Sequence, residues 1–479
     1  MLTGMFHKLC SCRRKEADRS GTNPCPPPHV GSYTLPAFQS ACELSEPTAQ
    51  ANRLVAIACG GTGGHFFPGL AVAEQLARRG WAVKLLISPK EVDQQATRTT
   101  TAFEVVTLPA VALNRGGWIA FLRGFILSYR ASRELFKRRR PDAVLAMGGF
   151  TSAPPILAGR RAGARTFLHE SNTVPGRANR WLARLVNESF VGFPEAAERL
   201  RCRKTTVTGT PVRAEFRPRD AAECRAAFGL DPQRPVLLVM GGSQGASGIN
   251  DLVVKSLRLL CPVAADVRRR VTGPCANPPP YVGGYGSPGS ALQFLHFTGA
   301  SNAEKIRHVY AENNLRAAVQ AFGNEMHLAL GAATVAISRA GASSLAELAA
   351  VQVPAILIPF PAAAGNHQFY NAHAFEKSGA ARLLEQKDAT AEKIAALLTE
   401  LVGNATAREK IQAALAKWHT PKAAQDIAEI ILNTVARSAD SRVRTNSGKG
   451  GETREHGCPR SCKPEDGMLG EQQCADTHA

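Results

Sequence analysis

A chain of 479 residues, 44% of them hydrophobic, is long enough for two or three domains and a large core. Its 58 basic against 39 acidic residues leave a net charge of +19, which favours an anionic partner: nucleic acid, a phosphorylated substrate or an anionic membrane surface. Aromatic residues make up only 6%, too few to interleave with the basic ones as single-stranded nucleic-acid binding requires, and no apolar run reaches the ~18 residues of a membrane-spanning helix. Cysteines crowd the two ends (Cys10, Cys12, Cys25, Cys42 and Cys458, Cys462, Cys474). No secretory apolar segment precedes them and their spacing suits no zinc site, so they read as reduced thiols of a cytosolic protein.

Residues 1–51 show no periodicity and read as a disordered extension; 437–479, nearly devoid of apolar residues, read as a disordered tail. Between them, strands alternate with helical patterns. "LVAIAC" (54–59) leads into a helix from about Pro68 to Arg79, and "AVKLLIS" (82–88) and "FEVVTL" (103–108) follow. A long amphipathic segment precedes "DAVLAMG" (142–148), a helix from near Pro154, and "RTFLH" (165–169). A second series runs "PVLLVMGG" (235–242), "LQFLHFTG" (292–299), "RAAVQAF" (316–322), "TVAISRAG" (334–341) and "AILIPF" (355–360). Such alternation predicts α/β architecture with two doubly wound parallel sheets. "TGTPVRAEFRPRD" (208–220) is a linker between them, and the Pro- and Gly-dense stretch 272–290 is a loop inserted in the second. "VAIACGGTGGH" and "VLLVMGGSQGA", beginning at Val55 and Val236, form a weak internal repeat, as two Rossmann-like domains facing a cleft would produce.

The first glycine loop, "GGTGGHFFPGLAVAEQL" (60–76), has no Lys-Ser or Lys-Thr and no third glycine of a dinucleotide fingerprint. Glycines there serve either a tight strand-to-helix turn or a close approach of backbone amides to an anion at a helix start. His65 opens the helix beside them, where an imidazole can act as a base near neutral pH; a core histidine is the alternative, less favoured because the residue stands beside glycines rather than on an apolar face. In "SRAGASSLAELAA" (338–350), small residues again precede a helix, and Glu347 either accepts from two ribose hydroxyls or merely suits the helix dipole. His367, Gln368 and Asn371 either read sugar hydroxyls or cap the next helix.

Taken in order, "GGTGGHFFPGLAVAEQL", "MGGFTSAPPILAG" (147–159), "LHESN" (168–172), "GTPVR" (209–213), "GGSQGA" (241–246), "SRAGASSLAELAA" and "PFPAAAGNHQFYNA" (359–372) resemble the MurG family of N-acetylglucosaminyltransferases over residues 54–436. The resemblance implies a GT-B fold: an acceptor and membrane domain over 52–212, completed by a helix at about 419–436, and a UDP-sugar domain over 213–418. It implies inverting, metal-independent transfer, without a cofactor, from UDP-N-acetylglucosamine to undecaprenyl-diphospho-muramoylpentapeptide at the cytoplasmic face of the inner membrane. Residue by residue, Thr62, Gly63 and Gly64 contact the donor or the acceptor diphosphate. Asn172, Arg213 and Ser243 bind the UDP-sugar. The backbone of Ala342, Ser343, Ser344 and Leu345 holds the UDP diphosphate, Glu347 the ribose and Gln368 the sugar, with His65 the candidate base. Three positions depart from the family's pattern. Gly323 stands where a bulky aliphatic packs on uracil, which predicts weaker packing there; Phe150 replaces a Tyr; His367 replaces the first Gln of a pair.

In the amphipathic segment 115–140, Trp118, Phe121, Leu122, Phe125, Ile126 and Tyr129 follow helical spacing among eight Arg and Lys residues. This helix suits an anionic bilayer surface, or it packs on its own sheet with a solvated basic end. Competing classes are a diacylglycerol glycosyltransferase, a UDP-N-acetylglucosamine 2-epimerase, a non-catalytic sugar-nucleotide-binding subunit and a basic nucleic-acid-binding protein. The last explains the charge but none of the loops.

Overall fold

Strands covered on both faces need unbroken apolar runs, and β1 (Leu54–Ala58) is buried at all five positions. It sits inside a seven-stranded sheet with β2 (Ala82–Ile87), β3 (Glu104–Thr107), β4 (Ala143–Ala146), β5 (Arg165–Glu170), β6 (Glu188–Val191) and β7 (Thr205–Val207). All pairings are parallel and the order is β3-β2-β1-β4-β5-β6-β7. A second parallel sheet, β8 (Val236–Met240), β9 (Gln293–Phe297), β10 (Ala317–Gln320), β11 (Val335–Ser338), β12 (Ala355–Leu357) and β13 (Arg382–Leu383), runs β10-β9-β8-β11-β12-β13. The computed structural model describes residues 53–61, 63–90, 102–109, 113–242, 245–260, 292–323 and 325–447. The expectations for residues 1–51, the 272–290 loop and residues 448–479 lie outside that set.

In each sheet the strand order reverses beside the repeated motif: β1 lies between β2 and β4, and β8 between β9 and β11. The internal repeat is therefore the same strand of two equivalent sheets. At such a reversal, successive connections leave on opposite faces, and a crevice opens at the carboxyl ends of the strands.

The chain passes between the sheets twice. After β7 it runs through Gly209, and after the Ala405–Trp418 helix it returns through Thr420. The two passes touch: a Cβ on Gly209, at φ +81°, would lie 2.0 Å from the Thr420 hydroxyl oxygen, so only glycine fits. Trp418 stacks on Phe375 at 4.5 Å and lies 5.3 Å from Phe193, giving the crossing an aromatic packing. The Ala423–Ser447 helix then buries Ala424, Ile427, Ala428, Ile431 and Val435 in the same core as β1 and the Gly63–Ala77 helix.

Three expectations change. The first helix starts at Gly63, not near Pro68, which falls inside it. The last helix continues to Ser447, although the tail was expected to begin at 437. Extending a helix already nucleated by packing needs no further core, and the added residues include helix-tolerant Ala and Arg. Strands β6, β7 and β13 were not foreseen. In β6 the reason is visible: Glu188 is buried at its start, neutralised by Lys204 Nζ at 2.9 Å and bonded by the Thr206 hydroxyl at 2.7 Å, so the apolar signal is broken.

Two fully buried histidines sit in these cores. Burial lowers His169 to about 4 and His296 to about 3 from an ordinary 6.5. His169 lies 3.1 Å from the Gly209 carbonyl; His296 bridges Tyr310 and Asn250. Both are neutral when folded, so the stability they contribute is full above about pH 6.5 and is lost as pH falls toward 4 and then 3. The urea midpoint is expected to fall steadily from pH 6.5 to 4.5. A midpoint unchanged over that interval would contradict the neutral-histidine reading.

Candidate active site

Between the carboxyl ends of the two sheets lies a cavity of about 470 Å³. Its first wall begins with the Gly63–Ala77 helix, which places Gly63, Gly64, His65 and Phe67 on the lining. The His65 ring rests against the loop after β4. A Cβ on Gly148 would stand 3.2 Å from His65 Nε2, and one on Gly149 3.3 Å from Cε1. Both glycines have positive φ, +111° and +79°, so this close backbone approach requires them. Thr151 ties the two glycine loops together by donating to the Gly60 carbonyl at 2.7 Å.

The buried carboxylate of Glu170, at the end of β5, organises the rest of this wall. It accepts from the Asn172 amide (2.9 Å) and side chain (3.0 Å), the Gly176 amide (3.1 Å) and Asn179 Nδ2 (2.8 Å). Asn179 Oδ1 in turn accepts from the Gly149 amide at 3.1 Å. One carboxylate thus sets both Asn172 and the loop that backs His65. Glu170, within "LHESN", and Asn179 carry no such role in the sequence, because their partners are backbone amides and carboxamides that the fold gathers from separate turns.

The second wall is the N-terminus of the Ala342–Val351 helix. Ala342, Ser343 and Ser344 line the cavity, and the amides of a helix's first turn have no intrahelical acceptor. Leu345 differs from expectation: its side chain is 1% exposed in the core and its amide already donates to the Gly341 carbonyl at 3.0 Å. The fourth amide of the helix closes the first helical bond and is not offered to a ligand.

Glu347 is half-buried one turn further in. Burial raises its carboxyl to about 7, Arg213 pulling it down and Glu215 pushing it up. Gln368 accepts from the Phe360 amide at 2.9 Å, which fixes its carboxamide and leaves its NH₂ available. Arg339, unassigned from the sequence, holds the turn after β12 by donating to the Ile358 and Pro359 carbonyls (3.1 and 3.0 Å) and to Gln386 (2.8 Å).

The far end of the cavity is apolar, with Met240, Phe297, Phe322 and Met326 around Gly323. A Cβ on Gly323 would stand 2.6 Å from the Met326 sulfur and 2.8 Å from Phe297 Cε1. Those two side chains fill the space a branched aliphatic would occupy, so the missing side chain leaves no gap in the wall.

The two walls are joined. Ser343 Oγ donates to the Gly64 carbonyl at 2.8 Å. Pro68, four residues on, has no N–H to give that carbonyl. Asn371, expected to cap a helix or read a sugar, is instead fully buried between the walls. Its Oδ1 accepts from the Thr173 amide and hydroxyl, both at 3.0 Å, and its Nδ2 donates to Asn172 Oδ1 (3.0 Å) and the Ala340 carbonyl (3.2 Å). Thr62 and Ser243 lie outside the described residues. With Leu345 set in the core and Asn371 between the walls, the remaining described site residues, His65, Gly63, Gly64, Asn172, Arg213, Gly323, Ala342, Ser343, Ser344, Glu347 and Gln368, line this one cavity.

Two facing doubly wound sheets, with ligand loops at both reversals, define a GT-B glycosyltransferase. Residues 55–191 match the glycosyltransferase family 28 N-terminal domain and residues 236–429 the C-terminal domain of that family. The chain is 34% identical over 385 residues to the UDP-N-acetylglucosamine--N-acetylmuramyl-(pentapeptide) pyrophosphoryl-undecaprenol N-acetylglucosamine transferase of Anaeromyxobacter sp. (strain Fw109-5), covering 80% of this chain and 93% of that protein. It is 35% identical over 350 residues to the protein of the same name from Verminephrobacter eiseniae, covering 72% and 89%. The crystal structure of Acinetobacter baumannii MurG superposes with a TM-score of 0.58 at 24% identity, over 80% of this chain and 99% of that one. The chain belongs to the MurG family.

Asn371→Ala removes both sides of the inter-wall bridge and strands buried partners, which costs about 2–3 kcal/mol. We expect a lower urea midpoint and, because Asn172 loses its orientation, at least a tenfold loss of turnover (about 1.4 kcal/mol). An unchanged midpoint and turnover would show that Asn371 does not hold the walls.

Proposed function

We propose that this chain transfers N-acetylglucosamine, with inversion, from UDP-N-acetylglucosamine to the C4 hydroxyl of an undecaprenyl-diphospho-muramoylpentapeptide, a step of peptidoglycan synthesis. One observation carries the reading. His65 and the amides of the Ala342–Val351 helix line the same cavity from opposite walls, joined by the Ser343–Gly64 hydrogen bond. In this reading a proton acceptor and a diphosphate site lie on the two walls of one cavity of about 470 Å³.

In this reading the uracil lies against Phe297 and Met326 beside Gly323, and the ribose hydroxyls donate to Glu347. The diphosphate lies on the amides of Ala342, Ser343 and Ser344 and on Arg213. Asn172 and Gln368 bind the sugar. Thr62, Gly63 and Gly64 serve a diphosphate of donor or acceptor, and Ser243 the donor. His65 takes the proton from the acceptor C4 hydroxyl as its oxygen bonds to C1, and the C1–O bond to UDP breaks on the opposite face. One displacement without an enzyme nucleophile inverts the anomeric carbon. Helix dipole and guanidinium stabilise the leaving diphosphate, and the joined walls limit hydrolysis by water.

The acceptor is a lipid, and the Leu113–Arg138 helix supports contact with an anionic membrane surface. The single apolar face read from the sequence divides in two. Phe125 and Tyr129 pack on the first sheet, whereas Trp118, Ile119, Leu122 and Ile126 are exposed, Ile119 at 83%. Phe121 lies 5.9 Å from Phe150, which connects the exposed face to the glycine loop behind His65. Among the described residues no helix is long and apolar enough to cross a membrane. We propose peripheral attachment at the cytoplasmic face of the inner membrane, and no nucleic-acid partner.

Transfer of labelled sugar from UDP-N-acetylglucosamine to a muramoyl-diphospho-lipid analogue, with and without chelator, tests the reaction directly. His65→Ala is expected to lower kcat about 10²–10⁴-fold while UDP affinity stays largely intact; near wild-type kcat would remove His65 as the base. Replacing Trp118, Ile119 and Leu122 together by Ser is expected to abolish binding to anionic vesicles, which in the parent protein weakens with salt. Binding indifferent to salt and to anionic lipid would count against this surface.

A further inference from the structure

Arg213 is held by more than a diphosphate site requires. It lies on the segment between the sheets, with its side chain only 14% exposed. Glu215 Oε1 sits 2.8 Å from its Nη1. Two aromatic rings lie within cation–π range of the guanidinium carbon: Phe67 at 4.5 Å and Phe216 at 5.0 Å. These rings have different origins. Phe216 belongs to the core of the second sheet, edge-on to His327. Phe67 belongs to the Gly63–Ala77 helix of the first wall, two residues beyond His65. Despite this company, Arg213 Nε is buried without a hydrogen-bond partner, and the side chain lines the cavity.

We propose that Glu215 and Phe67 are positioning residues that hold the Arg213 guanidinium ready for the donor diphosphate, and that Phe67 makes this hold depend on the two walls being together. The proposal rests on the donor site described above. A guanidinium on a long side chain loses rotamer freedom when it binds a phosphate, and an ion pair with aromatic contacts removes that freedom beforehand. Glu215 engages one edge, leaving Nε as a donor whose burial is compensated when a phosphate oxygen accepts from it. Glu215 and Phe216 lie on Arg213's own side, so they remain if the walls part; Phe67 leaves with the first wall. Arg213 is therefore best fixed in the closed arrangement. By reciprocity, a diphosphate that engages Arg213 favours closure and carries His65 toward the donor.

The test uses the full chain, with UDP as probe in calorimetry and UDP-N-acetylglucosamine with the lipid-linked acceptor analogue in steady state. Glu215→Gln is expected to raise the UDP Kd and donor KM about tenfold, with Glu215→Asp restoring most of the affinity. Phe67→Leu, which keeps an apolar filling but no π face, is expected to raise both by roughly three- to fivefold. A double-mutant cycle provides the readout that a merely structural role would not move. In an Arg213→Ala background, Phe67→Leu is expected to have no further effect on UDP affinity. An undiminished effect in that background, or wild-type affinity in Phe67→Leu itself, overturns the inference. If Glu215→Gln does not fold, the Phe67 cycle decides alone. Failure of the parent protein to bind UDP would overturn the donor-site reading instead, so the two failures are distinguishable.

Discussion

A proline in the second turn of a helix leaves one carbonyl without its usual donor, and in this chain that carbonyl is where the two halves meet. Pro68 cannot donate to Gly64, and the Ser343 hydroxyl of the facing wall does. A proline inside a helix costs about 3 kcal/mol when nothing compensates it. Here the hydrogen-bonding part of that cost becomes a contact between the helix start that carries His65 and the start of the Ala342–Val351 helix. Around it stand three of the four hydrogen bonds of Asn371, to Thr173 and Asn172, and the cation–π contact of Arg213 with Phe67. Each of these joins a residue of one wall to a residue of the other, so cleft geometry and site chemistry depend on the same few side chains.

Topology explains why so few contacts suffice. In both sheets the order reverses next to the first strand, which places the loops after β1, β4, β8 and β11 at the carboxyl ends on facing crevices. Glycines allow the backbone of the loop after β4 to lie against His65, and a buried carboxylate, Glu170, holds that loop through Asn179. The imidazole proposed as the base, at the end of a helix, is thereby backed by main chain rather than by another flexible side chain. The same loop reaches outward through Phe150 to Phe121 on the helix that exposes Trp118 and Ile119, which links the proposed acceptor site to the proposed membrane surface.

Much of this was legible before any coordinates. Unbroken runs such as "LVAIA" and "VLLVM" announce strands covered on both faces, and glycine with small hydroxyl residues at a strand-to-helix turn announces a backbone that can approach an anion. The less legible parts have specific causes. β6 was hidden by Glu188, whose charge is neutralised by Lys204 on the neighbouring chain segment. Glu170 looked like one acid among many, because its partners are amides of turns with no sequence signature. At Gly323 the sequence shows only a missing side chain, and not that Phe297 and Met326 stand where one would lie.

Element type, strand continuity and the small-residue loops follow from local properties, namely side-chain polarity, β-branching and the reach of glycine in φ. They could be read from the chain without knowing what lies opposite. The meeting of walls could not. Ser343 and Gly64 are 279 residues apart, and Asn371 and Thr173 are 198 apart. Neither residue of either pair carries a mark of its partner. A serine hydroxyl, an asparagine amide or a freed carbonyl accepts whatever complementary group the fold delivers. Which group arrives is decided by how two twisted sheets, crossed twice by one chain, settle against each other.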